Sequence, residues 1–212
     1  MRTLDTFILD SYADEDHIYV ILFCLFLAGM VAVLIKNGGG YGLAESIGKH
    51  AKTARAGALA TMGVGILIFF NDYANALIVG QTMRAVTDSL LISREKLSFI
   101  VDATSAPIAS LSPISSWIGF EIGLIADALS NLEEDGEDIS CYDSSAFVIF
   151  IKTIPSRFYP FFILLIQFLL IVTGRELGPM LRAERRARTT GKLASENSDQ
   201  TQTKIDESLE PE

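Results

Sequence analysis

Histidine and cysteine are nearly missing, with two of each in 212 residues. Cys24 sits in an apolar run and Cys141 in an acidic loop, so their spacing suits neither a zinc site nor a disulfide. His17 and His50 flank separate apolar segments with no second ligand nearby, which removes a histidine-based catalytic or metal site and leaves two solvated side chains. Positive charge is short as well: 17 Lys and Arg face 26 Asp and Glu, a net charge of -9. A chain without a basic face is a poor nucleic-acid binder. The first sixteen residues hold one basic and five acidic residues and no apolar core, so they lack the plan of a secretory signal. Gly-x-Gly-Asp does not occur, which argues against an intramembrane aspartyl protease and for a chain that is not an enzyme. The run NGGGYGLAESIGKH fails as a phosphate loop too: Gly42 and Gly48 enclose five residues rather than four, and Lys49 is followed by His50.

What is present is apolar sequence, half of all residues, at a mean hydropathy of +0.36. Ile18 to Ile35 is uncharged and mainly apolar, about 27 Å of helix, enough to cross a bilayer core. Lys36, Lys49, Lys52 and Arg55 against Glu45 make the next loop basic, hence cytoplasmic by the positive-inside tendency. Residues 56–83 are apolar on both sides of Asn71-Asp72-Tyr73-Ala74-Asn75, the pattern of a re-entrant hairpin with its tip at Asn71–Asn75. Arg84 to Lys96 is a basic connector on the same side; Arg84 and Asp88 stand at i, i+4, Ser93 is a candidate N-cap, and Glu95 suits the first helical turn. Leu97 to Ala128 is too long for one straight span. A crossing broken between Asp102 and Pro113 uses the excess length, although the order of hairpin and crossing stays open.

The acidic loop 127–143 falls on the opposite face. Arg157 to Pro160 begins a second interfacial entry, and Phe161 to Thr173 crosses back. Arg175, Arg182, Arg185, Arg186, Arg188 and Lys192 then form a basic juxtamembrane cluster. The expected organisation is an acidic aqueous arm (1–17), a transmembrane domain (18–174), a basic juxtamembrane segment (175–192) and a disordered acidic tail (193–212). Asp72, Asp102 and Glu121 within apolar sequence cost roughly 8 to 10 kcal/mol together on insertion scales, so they should face a protein interior or a water-filled path. Pro107 and Pro113 cannot donate to the carbonyls of Ala103 and Ala109. Freed carbonyls beside carboxylates and hydroxyls make a hard-cation ligand set. Glu121 reads equally as a partner for Arg84 or Arg94, Ser112, Ser115 and Ser116 as small residues that let helices approach, and Trp117 as an anchor.

At residues 71–88, 92–125 and 156–191 the sequence resembles the NhaC-type sodium/proton antiporter family. The resemblance implies an all-α polytopic membrane protein, one half of an inverted-repeat transporter, with transmembrane helices, a re-entrant hairpin and a broken helix around a midplane site. It implies exchange in which sodium and a proton exclude one another, at Asp72 and Asp102, with Asn75, Thr104, Ser105 and Ser110 as neutral oxygen donors and Pro107 and Pro113 at helix breaks. Members of the family read Asp-Asp-Tyr-Ala-Asn where this chain has Asn71-Asp72-Tyr73-Ala74-Asn75, one carboxylate fewer, and they are considerably longer. The chain therefore corresponds to a first repeat, a fragment inactive alone or completed by a missing second repeat or a homo-oligomer. The expected partners are the lipid bilayer, Na+ and H+, with no cofactor; the expected place is a plasma or inner membrane with the C-terminal tail cytoplasmic. The alternative is an organic-anion (dicarboxylate) exchanger coupled to sodium or protons.

Overall fold

The computed structural model describes residues 51–136 and 145–195 continuously, and a scatter of positions between 18 and 46. The acidic arm, most of the expected first span at 18–35, both histidines, both cysteines and residues 196–212 lie outside the described residues. Within the described residues the chain is entirely helical. Its elements are α1 (Ala54–Leu67), α2 (Asp72–Thr82), α3 (Arg84–Ser89), α4 (Arg94–Leu111), α5 (Ser116–Glu134), α6 (Ala146–Thr153) with a 3-10 turn at Ile154–Ser156, α7 (Phe158–Thr173) and α8 (Gly178–Thr190).

Helix α4 is the hub, in contact with α1, α2, α3, α5, α7 and α8. Ser93 caps it as expected, its hydroxyl accepting from the Lys96 N–H at 3.2 Å, with Glu95 in the first turn. Two apolar clusters flank it. Val79 of α2, Met83 between α2 and α3, and Val86 of α3 meet Leu97 and Val101, while Ala58 and Met62 of α1 meet Ile92, Ile100 and Ile171 of α7. Helices α1 and α4 approach closely at Gly65, where a Cβ would lie 2.3 Å from Thr104 Oγ1. Between α3 and α4 the chain turns through Leu91, whose φ of 54° is in the left-handed region. Its N–H reaches Asp88 O and that of Ile92 reaches Thr87 O, a Schellman C-cap without the usual glycine.

Outward surfaces are strongly apolar. On α7, only Pro160, Gln167 and Ile171 are buried, leaving Phe158, Tyr159, Phe161, Phe162, Leu165 and Leu169 exposed; α5 buries none of its residues. By length and composition one helical stretch, 158–190, can cross a membrane, and its apolar part is α7. The α4 and α5 pair qualifies as a second if it is taken as one span bent by 48°.

Two expectations about the breaks are corrected. The expected hairpin tip at Asn71–Asn75 is instead a break at 68–71, and Asp72, Tyr73 and Asn75 are helical in α2. The reason is capping: Asn71 is extended and its side chain accepts from the Ala74 N–H at 2.8 Å, which starts α2 at Asp72. Likewise α4 runs through Asp102 and Pro107 without interruption and ends at Leu111, so the broken crossing opens at 112–115. Pro107 removes one ladder bond and the helix tolerates it. Pro113 forces extended backbone on Ser112, and there the helix stops. At the far end of the described residues, Leu193 O accepts from the Arg94 N–H at 3.0 Å and Ala194 is buried.

Candidate functional site

The two breaks cross and are stitched together. Asn71 Nδ2 donates to Ser116 Oγ at 2.9 Å, and the Ser116 N–H donates to Phe70 O at 2.9 Å. Asn71 is thus committed twice, capping α2 with its oxygen and holding α5 with its nitrogen. Asn75, one turn later and fully buried, does the complementary work for α1: its Nδ2 faces Gly65 O (2.6 Å), Ile68 O (3.1 Å) and Thr104 O (3.4 Å). Those first two are carbonyls that the end of a helix leaves without ladder partners.

Oxygens are left over at this crossing. Asp72 Oδ1, Asn75 Oδ1 and Ser115 Oγ are buried atoms with no hydrogen-bond partner. Ser115 is the N-cap residue of α5, yet its hydroxyl caps nothing. Asp72 and Ser115 are the chain neighbours of Asn71 and Ser116, the two residues of that hydrogen bond. Asp72 also stands in the first turn of α2, where the helix dipole favours negative charge.

The expected hydroxyl donors behave differently. Thr104 Oγ1 bonds Ile100 O (2.8 Å) and Val101 O (3.1 Å), Ser105 Oγ bonds Asp102 O (3.1 Å), and Ser110 Oγ bonds Pro107 O (3.0 Å). All three are satisfied by their own helix. Asn75 and Thr104 are brought together through the Thr104 carbonyl rather than its hydroxyl. Asp102 is exposed, on the wall of a groove of about 400 Å3 between α2 and α4 that Ser105, Gln81, Arg84 and Arg94 also line. Asp72 is not on that wall.

Two residues were not singled out as site residues from sequence, Ser115 and Gln167. Gln167 is fully buried and is the lone polar side chain in the apolar run of α7, a signal available in the sequence. Its Nε2 reaches Ile100 O at 3.3 Å, and its Oε1 has no partner. Glu121 pairs with Arg157 rather than with Arg84 or Arg94. Arg157 Nη1 also donates to Ser110 O at 2.9 Å, a carbonyl freed by the second break, and the guanidinium lies 4.8 Å from the centre of the Phe150 ring. Asp88 forms an ion pair with Arg94 at 2.7 Å.

Two helix breaks joined by hydrogen bonds, with buried carboxylate, amide and hydroxyl oxygens on residues beside them, present the oxygen types that a small cation or a proton takes. Residues 111–206 match the Na+/H+ antiporter family. The Na+/H+ antiporter match takes in the second break, Ser115, Arg157, Gln167 and α8; Asp72, Asn75 and Asp102 precede it. An "Uncharacterized protein" of Haemophilus influenzae (strain ATCC 51907 / DSM 11121 / KW20 / Rd) is 29% identical over 179 residues, covering 83% of this chain and 33% of that protein. The chain thus spans about a third of the length of this relative. No solved structure matches it.

Proposed function

We propose that the chain supplies half of an NhaC-type sodium/proton exchange site, in which the Asp72 carboxylate at the crossed breaks holds either a proton or a sodium ion. The observation that carries this reading is the set of three buried oxygens without partners, on Asp72, Asn75 and Ser115, around the Asn71–Ser116 stitch. Sodium binding expels the proton from the carboxyl, and protonation removes the charge that holds sodium, so the two exclude each other. Asp102 and Ser105 line the groove by which ions reach the crossing, and Thr104, through its carbonyl, holds Asn75 in place. The exposed apolar faces of α5 and α7 meet lipid, and a second repeat or another copy covers the polar groove. The protein is a transporter rather than an enzyme, in a plasma or inner membrane with α8 cytoplasmic. The family match favours cation exchange over the dicarboxylate alternative.

Trp117 is the chain's one tryptophan and stands two residues from Ser115, which makes its fluorescence a local reporter. Titrating sodium into the purified chain should give a saturable change in emission that weakens as pH falls, because protons compete. Asp72→Asn should abolish it. An unchanged sodium titration in Asp72→Asn would remove the carboxylate from the reading.

A further inference from the structure

At the opposite end of α4 from Thr104, a cavity of about 460 Å3 is lined by Arg55, Lys96 and Arg188 together with Thr53, Ala54 and Gly174, and no carboxylate is on its wall. Lys96 and Thr104 are eight residues apart, about 12 Å along the helix. The cavity also receives the N-terminus of α1, a 14-residue helix with no acidic residue in its first turn. The N–H groups at that end and the positive end of the helix dipole add to the three cations. Arg55 is exposed and forms no ion pair among the described residues, and its guanidinium lies against Gly174, where a Cβ would come within 2.8 Å of Nη2. Only a glycine at that position leaves the guanidinium free to lie there. Lys96 is buried and holds Glu176 and, at 3.9 Å, Glu184; Arg188 holds Glu184 at 2.9 Å. Two carboxylates behind three cations leave one positive charge uncompensated, on the open side of the cavity.

We infer that this cavity is a binding site for a phosphate group, carried either by an anionic lipid headgroup or by a soluble phosphate. Arg55 and Arg188 grip the phosphate oxygens from two sides, the first N–H groups of α1 donate to it, and Lys96 supplies charge from beneath. A ligand there ties α1, α4, α8 and the end of α7 into one unit, which gives the membrane surface or a soluble metabolite a handle on the helix that carries Asp102 and Thr104. The inference rests on this cavity alone and stands whether or not sodium binds at the crossed breaks.

The test uses the full 212-residue chain. One arm titrates inorganic phosphate into the chain in detergent and follows thermal unfolding; the other compares thermal unfolding of the chain reconstituted in neutral vesicles and in vesicles containing an anionic phospholipid. Expected is a response in at least one arm that weakens about tenfold in both Arg55→Gln and Arg188→Gln, while Arg182→Gln with Arg185→Gln, on the exposed side of α8, leaves the phosphate response unchanged and lowers the response to anionic vesicles less than either single variant. A response to phosphate identifies a soluble ligand, and a response to anionic vesicles alone identifies the headgroup. Circular dichroism of the variants separates loss of binding from loss of fold. No response in either arm, or one that Arg182 and Arg185 govern and Arg55 does not, overturns the site.

Discussion

Glu184 is a carboxylate 2% exposed on a helix otherwise rich in arginine, and its replacement tests whether α8 is a working part of the fold. Its Oε1 accepts from the Ser93 N–H at 2.8 Å and from Ser93 Oγ at 2.9 Å; its Oε2 faces Arg188 and Lys96. Glu184→Ala removes two charge-assisted hydrogen bonds and strands the N–H of Ser93, which is fully buried. Lys96 keeps Glu176. Breaking a buried, hydrogen-bonded pair from one side costs about 3 to 5 kcal/mol. For a chain of this size each kcal/mol lowers Tm by roughly 2 to 4 °C, so the variant should melt about 6 to 20 °C lower. Arg188→Gln removes the other end of one of these pairs, but that side chain is 51% exposed and stands at i, i+4, where such pairs contribute about 0.3 to 0.5 kcal/mol. It should melt within about 2 °C of the parent. Thermal unfolding of both variants in the same detergent decides the matter. Equal losses, or no loss in Glu184→Ala, would refute the claim that α8 clamps the start of α4 through a buried carboxylate.

Asn75→Ala removes the amide that serves Gly65 O, Ile68 O and Thr104 O, so it should lower stability by about 2 to 4 kcal/mol and also erase the sodium response of Trp117; intact unfolding and an intact response together would sink its assignment. Leu91→Gly relieves a left-handed backbone at an exposed position and should raise stability by about 1 kcal/mol, a gain in Tm readable by the same unfolding assay.

Local signals were legible where one residue type decides the outcome. Ser93 with Glu95 marks the start of α4, Pro113 marks its end, and the run from Phe158 marks α7. The partners were not legible, because they are chosen across tens of residues. Arg157 meets Glu121 from 36 positions away, and Glu184 meets Ser93 from 91. Asn71 and Asn75 looked like a hairpin tip because asparagine disrupts helices. In place they act as caps for two helix ends, and the tip moved four residues toward Ile68. Thr104, Ser105 and Ser110 looked like ligands because hydroxyls in apolar sequence suggest a pathway. Each turned back to its own helix, the cheaper partner at i-3 or i-4.

The sorting of donors and acceptors at the crossed breaks argues about charge. A helix break leaves N–H groups on one side and carbonyls on the other, and folded interiors satisfy nearly all of them. Here the N–H of Ala74 goes to Asn71, that of Ser116 to Phe70 O, and the carbonyls of Gly65 and Ile68 go to the Asn75 amide. The freed Ser110 carbonyl goes to Arg157. The buried side-chain atoms left over there, on Asp72, Asn75 and Ser115, are all oxygens, one of them on a carboxylate. Each buried polar atom without a partner costs about 1 to 3 kcal/mol. A break that served shape alone would have closed on them as it closed on their neighbours. An anion gains nothing from acceptor oxygens beside a carboxylate, whereas a proton or a sodium ion would satisfy them, which is the chemistry the proposed exchange site requires.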